Sequence, residues 1–354
     1  MKQNSGTKLI ASALLAGIPL VANAETKIGF DYDVSMNWND QGMSKAKGAD
    51  DPDTLYSTAQ NAYLNASGQI NEKDSFAVAV HISESKNTSD AVEVAKATHR
   101  FNNMLSLTVG KNLVNQGGLD NWNATFDAYF NGAYTMNHIP LAAYQPMVQV
   151  DVNTGTGGTI TLQVTDDVSG PVTDSTGACT SNCTNYSEGT QPATLIQWKG
   201  DFGAVSPLLQ IVPYDAGNSM AFAVGAAFGG GPFSGWADFN QDTRAAKSLT
   251  GGDATKDVYT TVTLNLTYDA GGIVPYLKYS SMDVEQDTNL KGNSAAGTYD
   301  DNADILGIGV GFTKISDNFA PYISIVRTTS DIIVGTDTET RTEQNVAIGF
   351  SGSM

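Results

Sequence analysis

Basic side chains are scarce in this sequence: 19 Lys and Arg stand against 37 Asp and Glu, a formal net charge of −18 at pH 7, and no Lys/Arg cluster occurs anywhere. A balance of that sign repels phosphate, which excludes a nucleic-acid-binding face. Two cysteines and three histidines leave little material for a metal cage or a His-based catalytic centre, so no cofactor is expected. Charged residues make up only 16% of the chain, against the ~25% usual for soluble domains. Long apolar runs are also missing after residue 24. A chain of this kind enters a membrane with strands or not at all.

What is present begins with a targeting segment. Lys2 and Lys8 form a positive start, Leu9 to Val21 is an apolar run interrupted by Gly17 and Pro19, and Ala22-Asn23-Ala24 fits small-x-small cleavage. Residues 1–24 are therefore expected to be a cleaved signal peptide, and residues 25–354 the mature protein.

Beyond residue 25 the apolar pattern has period two, the signature of half-buried strands. Ile28, Phe30, Tyr32, Val34 and Met36 share one face of the first segment; Phe76, Val78, Val80 and Ile82 share one face of another. The same alternation runs through Phe126 to Tyr134, Tyr144 to Val152 and Val258 to Tyr268. A soluble sandwich and a membrane barrel both produce it, and connection lengths separate them. Tight turns are expected at Asn71–Asp74, Asn102–Asn103, Asn137–Pro140, Gly200–Gly203, Gly229–Pro232, Asp269–Gly272 and Ser316–Asn318. Between them lie links, most of them long, at 37–54, 85–90, 113–124, 153–190, 214–217, 242–255, 285–302 and 332–339. The regular interleaving points to an all-β transmembrane antiparallel barrel of 16 strands, with short periplasmic turns and long extracellular loops. Aromatic residues beside the short turns, among them Phe101, Trp198, Phe202, Phe233, Tyr268, Tyr276, Phe319 and Phe350, read as an interfacial girdle. In this reading Thr159 to Asp166 belongs to the extracellular excursion 153–190, which also holds Cys179 and Cys183 in a C-x3-C spacing that oxidising surroundings would close into a small disulfide loop.

Particular segments carry a family likeness: Leu105 to Lys111 followed by Asn115-Gln116-Gly117-Gly118-Leu119-Asp120-Asn121-Trp122, then Gln197 to Val205, and the final strand Asn345 to Phe350. On these segments and the full-length pattern the sequence resembles the Gram-negative general diffusion porins. The resemblance implies an outer-membrane homotrimer whose third extracellular loop, here 113–124 with Gly117, Gly118 and Trp122, folds into the lumen and narrows it. It implies outer-membrane lipid and lipopolysaccharide as surroundings and small hydrophilic solutes as cargo. Porins of this type end on the aromatic residue, whereas Ser351-Gly352-Ser353-Met354 follow Phe350 here.

Strand parity nominates the residues of the water path. Lys96, Thr98 and Arg100 share a face that must be wet, because Arg or Lys at the bilayer midplane costs about 2–4 kcal/mol. Lys199 and Lys278 follow by the same parity, and Asp31, Asp33, Asp127, Asp151 and Asp238 are inward acids. Asp120 and Asp127 are expected to face Lys96, Arg100 and Lys199 across the constriction, with a negative mouth giving mild cation preference. Two other readings share the fold: a substrate-selective sugar channel, for which Tyr129, Tyr276 and Tyr322 would supply aromatic contacts, and a plugged structural or adhesive barrel. A barrel hydrolase is disfavoured, because His81 has no evident partner, His99 falls on the lipid-facing phase and His138 lies in a turn.

Overall fold

The computed structural model describes residues 25–41, 54–82, 91–119, 144–166, 172–173, 179–181, 192–214, 217, 219–246, 255–285, 299–313, 319–334 and 337–353. Within them alternation of apolar and polar residues yields strands β1 (Glu25–Gln41), β2 (Thr54–Gln69), β3 (Asp74–His81), β4 (Val92–Arg100), β5 (Leu105–Leu113), β6 (Tyr144–Asn153) and β7 (Thr159–Asp166). The short strands β8 (Val172–Thr173) and β9 (Cys179–Ser181) follow, then β10 (Pro192–Lys199), β11 (Val205–Tyr214), β12 (Ser219–Gly230) and β13 (Phe233–Ala246). The chain continues through β14 (Thr255–Tyr268), β15 (Ile273–Glu285), β16 (Tyr299–Phe312), β17 (Ala320–Val334) and β18 (Asp337–Ser353). All but β8 and β9 form one closed antiparallel barrel in which sequence neighbours pair, with β7 beside β10 and β1 closing on β18. β8 and β9 pair only with each other.

Closure runs from Asp31↔Ser353 to Gln41↔Glu343. Ser351, Gly352 and Ser353, which follow Phe350, are part of this ladder: Ser351 pairs with Asp33 on one side and with Ala320 on the other. They extend the last strand rather than trailing from it. The expected 16 strands stand in the closed sheet, but one of them is not where the spacing put it. Thr159 to Asp166 is a barrel strand, paired to both β6 and β10, and not part of an excursion. Its alternation is strict, with Ile160, Leu162 and Val164 exposed on the outer face and Thr161, Gln163 and Thr165 buried on the inner one. The short turn that precedes it is 154–158, where Asn153 Oδ1 accepts the Gly155 N–H at 2.8 Å. Among the described residues the strand paired to β5 is β6, from Tyr144, and the barrel strand paired to the other side of β7 is β10, from Pro192. The alternating stretch 126–134 and the turn 137–140 lie outside the described residues, as do Cys183 and the turn at 316–318.

Several short turns are built the same way, by an Asn or Asp side chain capping the backbone two or three residues on. Asn71 Oδ1 accepts the N–H groups of Lys73 and Asp74, Asn102 Oδ1 those of Met104 and Leu105, and Asp269 Oδ1 those of Gly271 and Gly272. Gly271 sits at φ 85°, a conformation costly for any residue with a Cβ.

The polarity of the wall is the reverse of a soluble domain. Outward-facing Val262, Leu306, Ile308, Ile323 and Ile348 are 45–58% exposed, whereas inward-facing Thr261, Thr263, Asn265, Ser280 and Ser324 are all but closed to solvent. At the short-turn end, ring pairs Phe233–Tyr268 (4.7 Å), Phe319–Phe350 (5.1 Å) and Trp198–Phe202 (6.2 Å) form part of the aromatic belt. Tyr276 does not belong to it: its side chain is inward and buried, lying over Gly309, where an added Cβ would fall within 2.4 Å of the ring. The backbone of β16 leaves that ring its space.

Candidate pore site

The inner face of β4–β7 is a hydrogen-bonded polar belt. Inward phase on β4 places Lys96 so that its Nζ donates to Asn112 Oδ1 on β5 (3.1 Å), within electrostatic reach of Asp151 on β6. Asn112 Nδ2 reaches Gln149 Oε1 (3.4 Å), and Gln149 Nε2 donates to Asp151 Oδ2 (2.8 Å). Thr161 Oγ1 donates to Asp151 Oδ1 (2.7 Å), and Thr98 and Thr108 share a hydroxyl bond of 2.8 Å. Fixed dipoles and charges of both signs thus line one wall. Toward the short-turn end Arg100 is exposed and, with Ser106, Asp151 and Thr159, lines a cavity of about 310 Å³.

After Leu113 the chain does not continue outward with the barrel wall. Residues 114–119 turn inward as a strap and are all buried. Gln163 on β7 holds the start: its Oε1 accepts the Asn115 N–H (2.9 Å) and its Nε2 donates to the Leu113 carbonyl (3.2 Å). Gln210 on β11 holds the middle, donating to the Asn115 carbonyl and accepting the Gly118 N–H (3.3 Å). Asp238 on β13 holds the far end, its Oδ2 accepting the Leu119 N–H at 2.7 Å. The strap is turned rather than extended, with the Gln116 N–H bonded to the Val114 carbonyl at 2.9 Å, and the long side chains of Gln163, Gln210 and Asp238 reach inward to it from strands β7, β11 and β13. Two apolar anchors seat the strap. Val114 packs with Met147, Leu195, Val212 and Tyr214, and Leu119 packs with Leu208, Ala223 and Trp236. A buried Leu contributes ~1.5–3 kcal/mol by removal from water, and a hydrogen bond to a charged group a net ~1.5–3 kcal/mol.

Of the residues nominated from sequence, Lys96 and Arg100 lie on the polar belt, and Gly117 (φ 78°) and Gly118 (φ 67°) lie in the strap. Lys199 is at the inward phase of β10, two residues from buried Gln197. Lys278 is only 1% exposed, with its Nζ 5.3 Å from the centroid of the Trp236 ring, so it is a packed wall residue rather than an open lumen charge. Asp120, Trp122 and Asp127 lie outside the described residues. His81 does have a partner: its Nδ1 is 3.3 Å from Glu93 Oε1, and its ring stacks on Tyr63 at 4.7 Å. Glu93 is brought there by an irregularity in the β3–β4 register, at which Ala79 pairs with Val94 and Val80 with Val92. His99 is held at the rim by Asp74 Oδ1 (2.6 Å). The strap holders Gln163 and Gln210 were not nominated. Their signal was inward-phase amides long enough to reach a crossing backbone, with small Ala223 and Gly225 beside the path.

No family model and no curated protein matches this sequence. Solved structures do. The outer membrane channel DcaP of Acinetobacter baumannii is 15% identical with a TM-score of 0.69, over 94% of this chain and 98% of that one. The chain has the fold of the outer-membrane porins. An anion-selective porin from Comamonas acidovorans, 13% identical, superposes with a TM-score of 0.67 over 94% of this chain and 100% of that one. The trimer form of OmpT from Vibrio cholerae, 12% identical, gives 0.58 over 93% and 99%. In a porin barrel the strap is the entry of the third long loop, and the short-turn end is the periplasmic one.

Proposed function

We propose that the chain is a passive diffusion channel for small hydrophilic solutes and ions in the outer membrane of a Gram-negative bacterium. The observation that carries the reading is the polarity of a closed barrel: the outer face is apolar where hydrocarbon would be, and the inner face carries hydroxyls, amides and charges beside its apolar clusters. Lys96, Arg100 and Lys199 on one wall, with Asp120 and Asp127 of the third loop opposite, form the constriction in this proposal, and its transverse field orients polar solutes. The chain's net charge of −18 supports a mild cation preference, unlike the anion-selective porin that shares its fold. A homotrimer is the assembly proposed, supported by the trimer form known for OmpT, with outer-membrane lipid and lipopolysaccharide around it. The channel does no bond chemistry in this reading; two of the histidines are tied to Glu93 and Asp74 rather than poised beside a nucleophile.

A second reading, a barrel occluded on one side, has an observation in its favour: inner side chains of β14–β17 such as Tyr322 and Ile305 are each 1% exposed. Recording the refolded mature chain in a planar bilayer decides between them. Stepwise ionic current supports the channel; insertion without current supports the plugged barrel.

A further inference from the structure

We propose that Asp238 is the positioning residue of the constriction: its carboxylate fastens the strap 114–119 inside the lumen by accepting the Leu119 N–H. It is not a solvated lumen charge that attracts cations. This inference rests on the channel reading and names the residue that sets the channel's width.

Inward phase on β13 made Asp238 a candidate water-path acid, but its side chain is buried, at 4% exposure. The 2.7 Å bond from Leu119 N–H to Oδ2 aims the carboxylate at the strap rather than along the pore. Gly118 is cut to the same place: a Cβ there would come within 2.6 Å of Asp238 Oδ2 and 2.9 Å of Asn240 Oδ1, and its φ of 67° further disfavours a side chain. On the neighbouring strand β12, where Gly225 is paired with Asp238, an added Cβ would meet Asp238 Cβ at 2.7 Å and Leu119 Cδ1 at 3.1 Å. Two glycines therefore leave room for one carboxylate and one leucine to meet. Upstream, Gln163 bonds the Asn115 N–H and the Leu113 carbonyl at the end of β5, and Gln210 bonds the Asn115 carbonyl and the Gly118 N–H, so Asp238 is the holder at the end from which the loop goes on. A carboxylate suits this task because its acceptor oxygens are stronger than a neutral amide's toward a backbone N–H.

The test is single-channel recording of the refolded mature chain carrying Asp238→Ala, Asp238→Asn or Gly118→Ala, in the complete protein and in a version lacking residues 115–122. Asp238→Ala and Gly118→Ala are expected to shift the unitary conductance upward and to add open-channel noise, because the strap end is released. Asp238→Asn keeps an oxygen that accepts the Leu119 N–H, and should restore the conductance most of the way while carrying no charge. In the shortened protein Asp238→Ala should add no further shift, since its effect passes through the strap. Equal shifts of reversal potential in Asp238→Ala and Asp238→Asn with unchanged conductance would overturn the proposal in favour of a solvated charge. So would an Asp238→Ala effect that persists in the shortened protein. Gly118→Ala lies off the barrel wall, so it decides the matter if Asp238→Ala fails to give a heat-modifiable band; wild-type conductance in Gly118→Ala would overturn the proposal. Absence of current from the unmutated protein would contradict the channel reading itself, a separate outcome.

Discussion

Two stretches of the same inner surface differ in kind. On β4–β7 the inward side chains are Lys96, Thr98, Asn112, Gln149, Asp151 and Thr161, bonded to one another across the strands. On β14–β17 they include Tyr259, Tyr276, Met282, Val284, Ile305 and Val326, packed as one apolar cluster. Both sets obey the same parity and point away from the outer face. The difference teaches that parity fixes direction but not company: one wall presents polar groups that water or solute can replace as partners, and the other is closed by packing. The strap lies between them, fastened first to Gln163 and last to Asp238.

The contrast can be tested in order of expected effect. Deleting residues 115–122 removes the strap's hold and should enlarge the unitary conductance most of all; an unchanged current would show that this segment does not narrow the path. Replacing Lys96 and Arg100 together by Glu reverses the sign of the polar wall and should move the reversal potential in a salt gradient toward cation preference. No movement would remove these residues from the constriction. Ile305→Ala, in the packed wall, should cost about 2–5 kcal/mol of stability by leaving a cavity, read as a lower temperature for loss of the compact gel band. Its reversal potential should stay at the unmutated value, and a shift would mean that the apolar wall also meets the ions. Thr98→Val, which breaks the hydroxyl bond to Thr108 on the polar wall, should cost only ~0.5–1.5 kcal/mol in urea unfolding. A loss as large as that of Ile305→Ala would mean the two walls are equally packed.

Much of the fold was legible because a barrel wall has one greasy face on every strand. Ile160, Leu162 and Val164 alternate as clearly as any other set, but the stretch 126–134 alternates too, a barrel of this kind needs an even number of strands, and alternation does not say which of the two belongs to the wall. The correct total of 16 in the closed sheet therefore concealed a misplaced member. The turns were legible through Asn71, Asn102 and Asp269, whose side chains close them locally. The site was less so. Which polar groups meet across the barrel depends on register between distant strands, and nothing local tells that Asp238 would find the N–H of a residue 119 positions away. Lys278 looked like Lys96 by parity alone; only the neighbouring strands show that one sits over Trp236 and the other beside Asn112 and Asp151. The partner of His81 was hidden for a related reason, since a register irregularity brings Glu93 to it.

In the channel reading this closed sheet surrounds a continuous water path. Planar-bilayer recording of the refolded residues 25–354 tests it most directly. Stable, stepwise, ohmic current whose size rises with salt concentration is expected. Protein that inserts, shows heat-modifiable gel mobility and passes no current would contradict it.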